Sequence, residues 1–293
     1  MPWLQLKIDS DATNAEYFSD KLMYYGAVAV TLQDAADNAI FEPAIGTTPL
    51  WSSTRIIGLF DTNIDVDKII NSLQSNATLE KNITAYFKIE QLEDKDWIRA
   101  WMDDFNPIQF ADNLWLCPSW KKPPDSSATN IMLDPGLAFG TGTHPTTAMC
   151  MKWLGTHSIP TSVIDYGCGS GILTITVAKL GASSVTAVDN DPQALIATKQ
   201  NAKKNHVTSI IRTFYPEQVP NNKADLLIAN ILAQPLMELA PIFNNLLCQN
   251  GQLVMSGILE NQTKMLIEAY SPYLDLKIEN HEQEWVCLTG IKP

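Results

Sequence analysis

The 293-residue chain is 45% hydrophobic, which is enough to fill the core of one large domain or two moderate ones. It has no run approaching the roughly 18 apolar residues of a membrane span, and its N-terminus lacks the basic and apolar regions of a secretory signal. The cysteines are dispersed without CxxC or metal-ligand spacing, which predicts reduced core thiols, a cytoplasmic protein and no metal site: Cys117, Cys150, Cys168, Cys248 and Cys287.

The negative charge is concentrated in the first third of the chain. The net charge is −12, and residues 1–106 contain 17 acidic and 8 basic side chains, whereas residues 107–293 contain 15 and 12. A front region of net charge −9 disfavours direct contact with the phosphates of a nucleic acid. It fits a docking surface for a basic protein and a merely solubilising surface equally well.

Residues 1–92 alternate between strand and helix patterns in the order β-α-β-β-α-β. Strands are predicted at 3–8, 27–33, 54–60 and 83–92, and helices at 14–25 and 66–75. Tyr17, Leu22 and Tyr25 are expected on the buried side of the first helix, which ends at Gly26. The order predicts a ferredoxin-like α+β domain, and this segment contains no histidine and no catalytic cluster.

A charged amphipathic segment, residues 93–106, is the predicted linker helix. Trp97 and Trp101 lie four residues apart, hence on one face of a helix, and Pro107 stops the helix after Asn106. We interpret both tryptophans as packing anchors. The helix would join the front domain to a second domain, residues 107–293.

In the second domain, strands and helices alternate from residue 162 onward. Near-continuous apolar strands are predicted at 162–167, 184–190, 209–215, 224–232 and 251–259, and helices at 172–181, 191–205, 234–247 and 262–270. Such strands indicate a parallel sheet that helices cover on both faces. The last segment, 274–292, is predicted to form an antiparallel hairpin.

Two glycine-rich segments lie close together, and the second has the position of a ligand-binding turn. In "DYGCGSG", Gly167, Gly169 and Gly171 follow a predicted strand and precede a predicted helix, where open α/β sheets bind their ligands. The dinucleotide fingerprint requires a small residue at the sixth position, which is Ile172 here. The spacing therefore disfavours a dehydrogenase.

Two carboxylates accompany this turn. Asp165 lies two residues before the first glycine, where it would repel a pyrophosphate and could meet an ammonium group; a capping or turn role is the alternative. Asp189 ends the next strand, where it could accept hydrogen bonds from two ribose hydroxyls. A positively charged nucleoside without phosphate satisfies both acids, and S-adenosyl-L-methionine is such a compound.

Several segments together resemble the bacterial methyltransferases of ribosomal protein L11. "VIDYGCGSGIL" and "VTAVDNDPQAL" are similar to class I methyltransferases in general, whereas "LDPGLAFGTGTHPTT" and "DKDWIRAWMDDFNPI" are similar to this family in particular. The resemblance covers essentially the whole chain. It implies an α/β fold: a Rossmann-like, seven-stranded class I methyltransferase domain, joined by a helical linker to the smaller ferredoxin-like domain, with S-adenosyl-L-methionine as the cofactor.

The resemblance also implies which residues bind the cofactor. The first glycine-rich segment leads into a helix at Pro145, and the free amides of a first helical turn favour a negative group, so Thr146 is the candidate contact for the amino-acid end. Phe139 either leans on the cofactor or packs in the core. The family pattern places binding residues at Thr146, Gly167, Asp189 and Asn230, and Gly169, Asp165 and Phe139 are further candidate cofactor contacts.

Asn230 is the candidate catalytic residue for methyl transfer to an amine, since its side-chain carbonyl could accept a hydrogen bond from that amine. The next residues are Ile-Leu-Ala rather than the Pro-Pro-aromatic clamp of related amino-methylating enzymes. The attacking amine must be unprotonated, which at pH 7.4 costs about 0.5 kcal/mol for an α-amine and about 4 kcal/mol for a lysine. His144 precedes Pro145 and is expected to cap the helix or pack in the loop rather than act as the base.

The implied function is a protein N-methyltransferase acting on the N-terminal α-amine and lysine ε-amines of ribosomal protein L11, a basic partner that residues 1–92 would recognise. One alternative is a methyltransferase of the same fold that acts on another protein, RNA or a small molecule. Another is a non-catalytic ribosome assembly factor. The acidic front domain disfavours RNA, and the intact cofactor turn disfavours a non-catalytic role.

Overall fold

The computed structural model describes residues 2–38, 40, 46–81, 85–92, 105–134 and 142–293, with residues 76–81 described by their backbone alone. The chain divides into two compact units, Met1–Met102 and Asp103–Pro293. The predicted linker helix at 93–106 lies outside the described residues except for Phe105 and Asn106. No helix within the described ranges is long and apolar enough to cross a membrane.

The first unit contains a four-stranded antiparallel sheet and two helices. Its elements are β1 (Trp3–Asp11), α1 (Ala15–Tyr24), β2 (Ala29–Asp34), β3 (Ser53–Asp61), α2 (Val66–Lys81) and β4 (Tyr86–Leu92). The strand order β2-β3-β1-β4 with antiparallel pairing is that of a ferredoxin-like fold. The predicted ferredoxin-like fold is therefore confirmed.

Alternation along β1 explains which face of this sheet the helices cover. Leu6 and Ile8 are fully buried, whereas Lys7 between them is only half-buried. Both buried residues belong to one core cluster with Phe18 and Leu22 of α1. These two helical residues are four positions apart and fully buried, so they form the centre of the face that α1 presents to the sheet.

The prediction for the buried face of α1 is confirmed for Leu22 and wrong in detail elsewhere. Phe18, which was not predicted, is fully buried, whereas Tyr17 and Tyr25 are half-buried at the margin of the cluster. The hydroxyl of Tyr25 lies 2.6 Å from Oγ of Ser72 in α2. Its position at the margin of the cluster lets the Tyr25 hydroxyl reach this partner.

The second unit begins with a three-stranded sheet that the sequence patterns did not predict. Its strands are β5 (Ile108–Ala111), β6 (Leu114–Cys117) and β7 (Thr129–Met132), adjacent in that order. Four residues are too few to establish a period of two. Leu116 and Ile131 are fully buried in the core cluster that also includes helix α3 (Pro145–Thr156), so this small sheet closes part of the core.

The main sheet of the second unit has seven strands. They are β8 (Ser162–Tyr166), β9 (Ser184–Val188), β10 (Ile211–Phe214), β11 (Ala224–Asn230), β12 (Leu247–Leu259), β13 (Asp275–Glu282) and β14 (Trp285–Ile291). Their order is β10-β9-β8-β11-β12-β14-β13. Neighbours from β10 to β12 are parallel, and β14 is antiparallel to both β12 and β13. The predicted parallel sheet with a terminal antiparallel hairpin is confirmed.

Helices cover both faces of the main sheet. They are α4 (Ile172–Lys179), α5 (Pro192–Lys204), α6 (Ala233–Glu238), α7 (Ala240–Leu246) and α8 (Thr263–Tyr270). Along β11, Leu226 and Ile228 join one core cluster with residues of α3 and α4, whereas Leu227 and Ala229 join another with residues of α7 and α8. Burial on both faces is the reason that these strands are continuous apolar runs.

The single helix predicted at 234–247 was wrong, because the structure has two short helices there, α6 and α7. Pro241 lies in the first turn of α7. Its ring disfavours helical geometry at the preceding residue, and it has no N–H to donate to an earlier carbonyl. The proline therefore marks the break between α6 and α7.

The cysteine prediction is confirmed for four of the five thiols. All five are free; Cys117, Cys150, Cys168 and Cys287 are buried, whereas Cys248 is only partly buried. Burial raises the pKa of the Cys117 thiol, which favours its neutral form. The buried thiols therefore act as small core residues.

β11 and β12 approach closely where Gly257 of β12 faces Ile231, the residue after β11. A Cβ atom at Gly257 would lie 2.3 Å from the carbonyl oxygen of Ile231, and the φ angle of Gly257 is +84°. The pairing register between β12 and β14 also shifts between Met255 and Ile258. Glycine thus permits an irregularity in β12 beside the end of β11.

Replacing Gly257 by alanine should destabilise the protein by roughly 2–4 kcal/mol, because the backbone at Ile231 must move and alanine disfavours a positive φ. Urea unfolding followed by tryptophan fluorescence measures the loss. Gly181→Ala is the matched control, since Gly181 has φ +117° but no atom within 4 Å of the added Cβ. Its loss should be about 1 kcal/mol, and equal losses for the two variants would contradict the close-contact explanation.

Candidate functional site

The turn between β8 and α4 contains the second glycine-rich segment, and its backbone requires glycine. The φ angles of Gly167, Gly169 and Gly171 are +87°, +51° and +81°. The amide of Gly167 donates to the carbonyl of Val188 at 2.7 Å, which ties the turn to the end of β9. A Cβ atom at Gly167 would lie 2.2 Å from Cγ2 of Ile231, so a larger residue could not fit without movement.

Asp189 directly follows β9 and contacts the glycine turn. Its Oδ2 accepts a hydrogen bond from the amide of Gly169 at 2.9 Å, and its Oδ1 accepts one from the amide of Asp191 at 3.0 Å. Asp191 caps α5 by accepting from the amide of Gln193 at 2.8 Å, and Pro192 lies in the first turn, as the sequence predicts. The half-buried carboxylate of Asp189 is therefore held in one orientation, and each oxygen keeps a further lone pair for a ligand hydroxyl.

Asp165, the next-to-last residue of β8, is fully buried. Its Oδ2 accepts from the hydroxyl of Thr174 at 2.5 Å, whereas its Oδ1 has no hydrogen-bond partner among the described residues. Burial raises the pKa of Asp165 from 3.8 to about 6; the hydrogen bond from Thr174 opposes this rise, and the charge of Asp189 adds to it. A cationic group beside Oδ1 would relieve the cost of burying this carboxylate.

Asn230 is the last residue of β11, which lies next to β8 in the sheet. Its Nδ2 donates to Oγ1 of Thr147 at 3.1 Å, and its Oδ1 is a buried atom without a partner among the residues that the structure describes. Thr147 belongs to the first turn of α3 and is 1% exposed. It was not among the predicted site residues, because 83 positions separate it from Asn230. The one feature of the sequence that could have indicated a role for Thr147 is its position next to the predicted site residue Thr146.

Thr146, the predicted contact for the amino-acid end of a cofactor, is buried in the same turn of α3. His144 is the N-cap of this helix: its Nδ1 accepts from the Thr146 amide at 3.3 Å and lies 2.8 Å from the Thr146 hydroxyl. Its ring lies edge-on to Trp285 of β14, with 5.1 Å between centroids. Burial lowers the pKa of His144, opposed by the charge of Glu284, which favours the neutral ring. The predicted capping role of His144 is confirmed.

The first glycine-rich segment, Leu133 to Thr147, is described only in part. Residues 135–141 lie outside the described residues, so both interpretations of Phe139 remain predictions. Before them, Asp134 accepts from the amide of Ser119 at 2.6 Å and pairs with Lys204 of α5 at 2.5 Å. Burial acts to raise the pKa of Asp134, but these bonds lower it overall. Asp134 thus fixes the start of this segment to α5.

The predicted site residues that the structure describes meet at one edge of the main sheet. Asp165 and Asn230 lie at the carboxyl ends of the neighbouring strands β8 and β11, Asp189 follows β9, and Thr146 precedes the Thr147 that bonds to Asn230. This is the edge at which open α/β sheets bind ligands. The seven-stranded order, with β14 inserted antiparallel between β12 and β13 and with a glycine turn after β8, defines a class I methyltransferase fold.

Comparison with known proteins specifies the family within that class. The sequence model of the family "Ribosomal protein L11 methyltransferase (PrmA)" matches residues 2–293. The chain is 49% identical to the ribosomal protein L11 methyltransferase of Shewanella woodyi over 100% of both chains, and 47% identical to that of Shewanella baltica (strain OS185) over 99% of both. A crystal structure of the ribosomal protein L11 methylase from Lactobacillus delbrueckii subsp. bulgaricus is 32% identical, with a TM-score of 0.58 over 64% of this chain and 99% of that chain. The chain belongs to the ribosomal protein L11 methyltransferase family.

Asp165→Asn should stabilise the ligand-free protein above about pH 6. Because the folded-state pKa of Asp165 is raised from 3.8 to about 6, the folded state binds its proton more tightly, and wild-type stability falls as the pH rises through this interval. The amide has no such ionisation and can still accept from Thr174. Urea unfolding at pH 8 should show a gain on the order of 2 kcal/mol that shrinks toward pH 4.

Asp125→Asn provides the control for this experiment. Asp125 is exposed, and a hydrogen bond from the Ser127 side chain lowers the pKa of its carboxyl, the opposite direction to Asp165. The Asp125→Asn substitution should not stabilise the protein at any pH. A gain for Asp165→Asn that does not depend on pH would contradict the assignment of a raised pKa.

Proposed function

We propose that this chain transfers methyl groups from S-adenosyl-L-methionine to amines of ribosomal protein L11 in the cytoplasm. The match of residues 2–293 to the family is the observation that carries the proposal. Relatives named for this activity align with the chain over their full length. The proposed acceptors are the N-terminal α-amine and the ε-amines of lysines.

The unpaired atoms of the candidate site fit S-adenosyl-L-methionine. Oδ1 of Asp165 needs a hydrogen-bond donor or a positive charge, and the oxygens of Asp189 have lone pairs for a ribose diol. Residues 165–171 contain no basic side chain that would bind a pyrophosphate. The cofactor supplies an electrophilic methyl group on a positively charged sulfur, and the first turn of α3, with Thr146, would bind its carboxylate end.

Asn230 is proposed to orient the acceptor amine. Its buried Oδ1 can accept an N–H of the amine, which leaves the nitrogen lone pair free to attack the methyl carbon. An amide does not take up a proton at neutral pH, so the amine must arrive unprotonated. That requirement costs about 0.5 kcal/mol for an α-amine and about 4 kcal/mol for a lysine at pH 7.4, and desolvation lowers the second figure.

The first unit is proposed to bind the basic substrate protein. Several of its basic side chains are already neutralised: Lys7 pairs with Glu90 at 2.5 Å, and Arg55 pairs with Asp9 at 2.6 Å. Glu16 and Asp20, on α1, are exposed and have no ion-pair partner among the described residues. The surplus of free carboxylates favours a positively charged partner.

The proposed function is tested by incubating the protein with S-adenosyl-L-methionine carrying a labelled methyl group and one of three acceptors: free ribosomal protein L11, ribosomal RNA, or assembled ribosomes. Label should enter free ribosomal protein L11 and be located on its amines by mass spectrometry. Asp189→Ala should abolish labelling and weaken cofactor binding in calorimetry, because it removes the carboxylate that Gly169 and Asp191 orient. Label on RNA alone, or binding of ribosomal protein L11 without any transfer, would reject the proposal.

Docking by the first unit predicts that Glu16→Gln with Asp20→Asn raises the KM for ribosomal protein L11 roughly threefold at low ionic strength, with the difference fading at high salt. Cofactor affinity should not change. The matched control is Asp112→Asn with Asp275→Asn, which removes from the second unit two exposed charges that also have no ion-pair partner among the described residues. Steady-state kinetics compares the pairs, and an equal rise in KM for both would contradict docking by the first unit.

A further inference from the structure

The Asn230 side chain is hydrogen-bonded to Thr147 in the ligand-free protein. Nδ2 donates to Oγ1 of Thr147 at 3.1 Å, so the donor end of the amide faces α3. The acceptor end, Oδ1, is buried without a partner among the described residues. Because the two ends of an amide have opposite hydrogen-bonding character, a rotation of 180° would exchange an acceptor for a donor at this position.

Both partners of this hydrogen bond lie on rigid elements. Asn230 pairs with Ser256 across the parallel strands β11 and β12. Thr147 is 1% exposed in the first turn of α3, and His144 fixes that turn by capping the Thr146 amide and by accepting from the amide of Ala148 at 3.0 Å. The distance between Thr147 and Asn230 is therefore set by the packing of a helix against the sheet and not by a loop.

We propose that Thr147 is a positioning residue for methyl transfer: its hydroxyl holds the Asn230 amide so that Oδ1, and not Nδ2, faces the acceptor amine. This inference rests on the proposed function. During transfer the nitrogen lone pair forms the bond to the methyl carbon, the electrons of the broken carbon–sulfur bond stay on sulfur, and the surplus proton on nitrogen leaves to water. An Nδ2 at this position would donate to the lone pair and so oppose the attack.

A threonine hydroxyl can accept from Nδ2 or donate to Oδ1, and in this structure it accepts from Nδ2. A hydroxyl oxygen accepts the Nδ2–H bond, whereas an aliphatic side chain of the same shape would leave both ends of the amide unpaired in a buried site. The Asn230 amide could then rotate, and either Nδ2 or Oδ1 could form a hydrogen bond with the bound ligand. Thr147→Val removes only the acceptor, and Thr147→Ser keeps it, so these two substitutions separate hydrogen bonding from side-chain volume.

Steady-state methylation of ribosomal protein L11 by the full-length protein gives the main test. Thr147→Val should lower kcat roughly tenfold, as expected from the loss of one oriented hydrogen bond in a buried site, with KM for ribosomal protein L11 changed less than about twofold. Thr147→Ser should restore most of the activity. Calorimetry should find S-adenosyl-L-methionine affinity within about twofold of wild type for both variants. A valine variant that loses cofactor affinity and thermal stability in parallel with kcat would overturn the positioning role in favour of a structural one.

A double-substitution cycle with Asn230→Ala supplies the second test. If Thr147 acts through the Asn230 amide, then adding Thr147→Val to Asn230→Ala should change the residual kcat less than about twofold. A full tenfold further loss in that background would overturn the inference. Wild-type labelling is measured first, and its absence would reject the proposed function itself; labelling combined with an additive cycle would reject only the role of Thr147.

Discussion

Contact between Ile231 and two glycines determines the geometry of the candidate site. A Cβ atom added to Gly167 would lie 2.2 Å from Cγ2 of Ile231, and one added to Gly257 would lie 2.3 Å from the carbonyl oxygen of Ile231. Gly167 follows the end of β8, Ile231 follows the end of β11, and Gly257 lies within β12. These three strands are adjacent in the order β8-β11-β12. Their close packing fixes the spacing of Asp165 and Asn230, and the polar chemistry of the site depends on that spacing because neither side chain lies on a mobile loop.

The site consists largely of hydrogen-bond acceptors. Oδ1 of Asp165 and Oδ1 of Asn230 have no partner among the described residues, and the oxygens of Asp189 have spare lone pairs. A ligand that complements this arrangement must bring hydroxyls, N–H groups or positive charge. An arrangement of this kind discriminates by sign: a phosphate would add repulsion where a sulfonium nucleoside or an amine gains attraction. The buried carboxylate is unfavourable in the ligand-free protein, and this raises the benefit of binding a cation.

The sequence predicts the layers of this protein better than its contacts. The apolar runs and their order were enough to predict the four-stranded sheet of the first unit and the seven-stranded sheet of the second. Asp191-Pro192 and His144-Pro145 correctly marked the starts of two helices. The four-residue strands β5, β6 and β7 carry too little periodicity to be recognised, and a proline within an apolar segment divided α6 from α7. The bond from Asn230 to Thr147 spans 83 positions, and only tertiary packing brings the two together.

The position of β14 constrains how the second unit can be built. β14 follows β13 in the chain but lies between β12 and β13 in the sheet, so β12 has an unpaired edge until residues Trp285–Ile291 are available. Trp285 also abuts the His144 ring at the start of α3. As the polypeptide emerges from the ribosome, the nascent unit therefore exposes an open strand edge until its last hairpin is made, and such an edge can pair with another chain. Vectorial synthesis thus supplies β14, and with it the contact of Trp285 with the start of α3, after the other strands of the sheet.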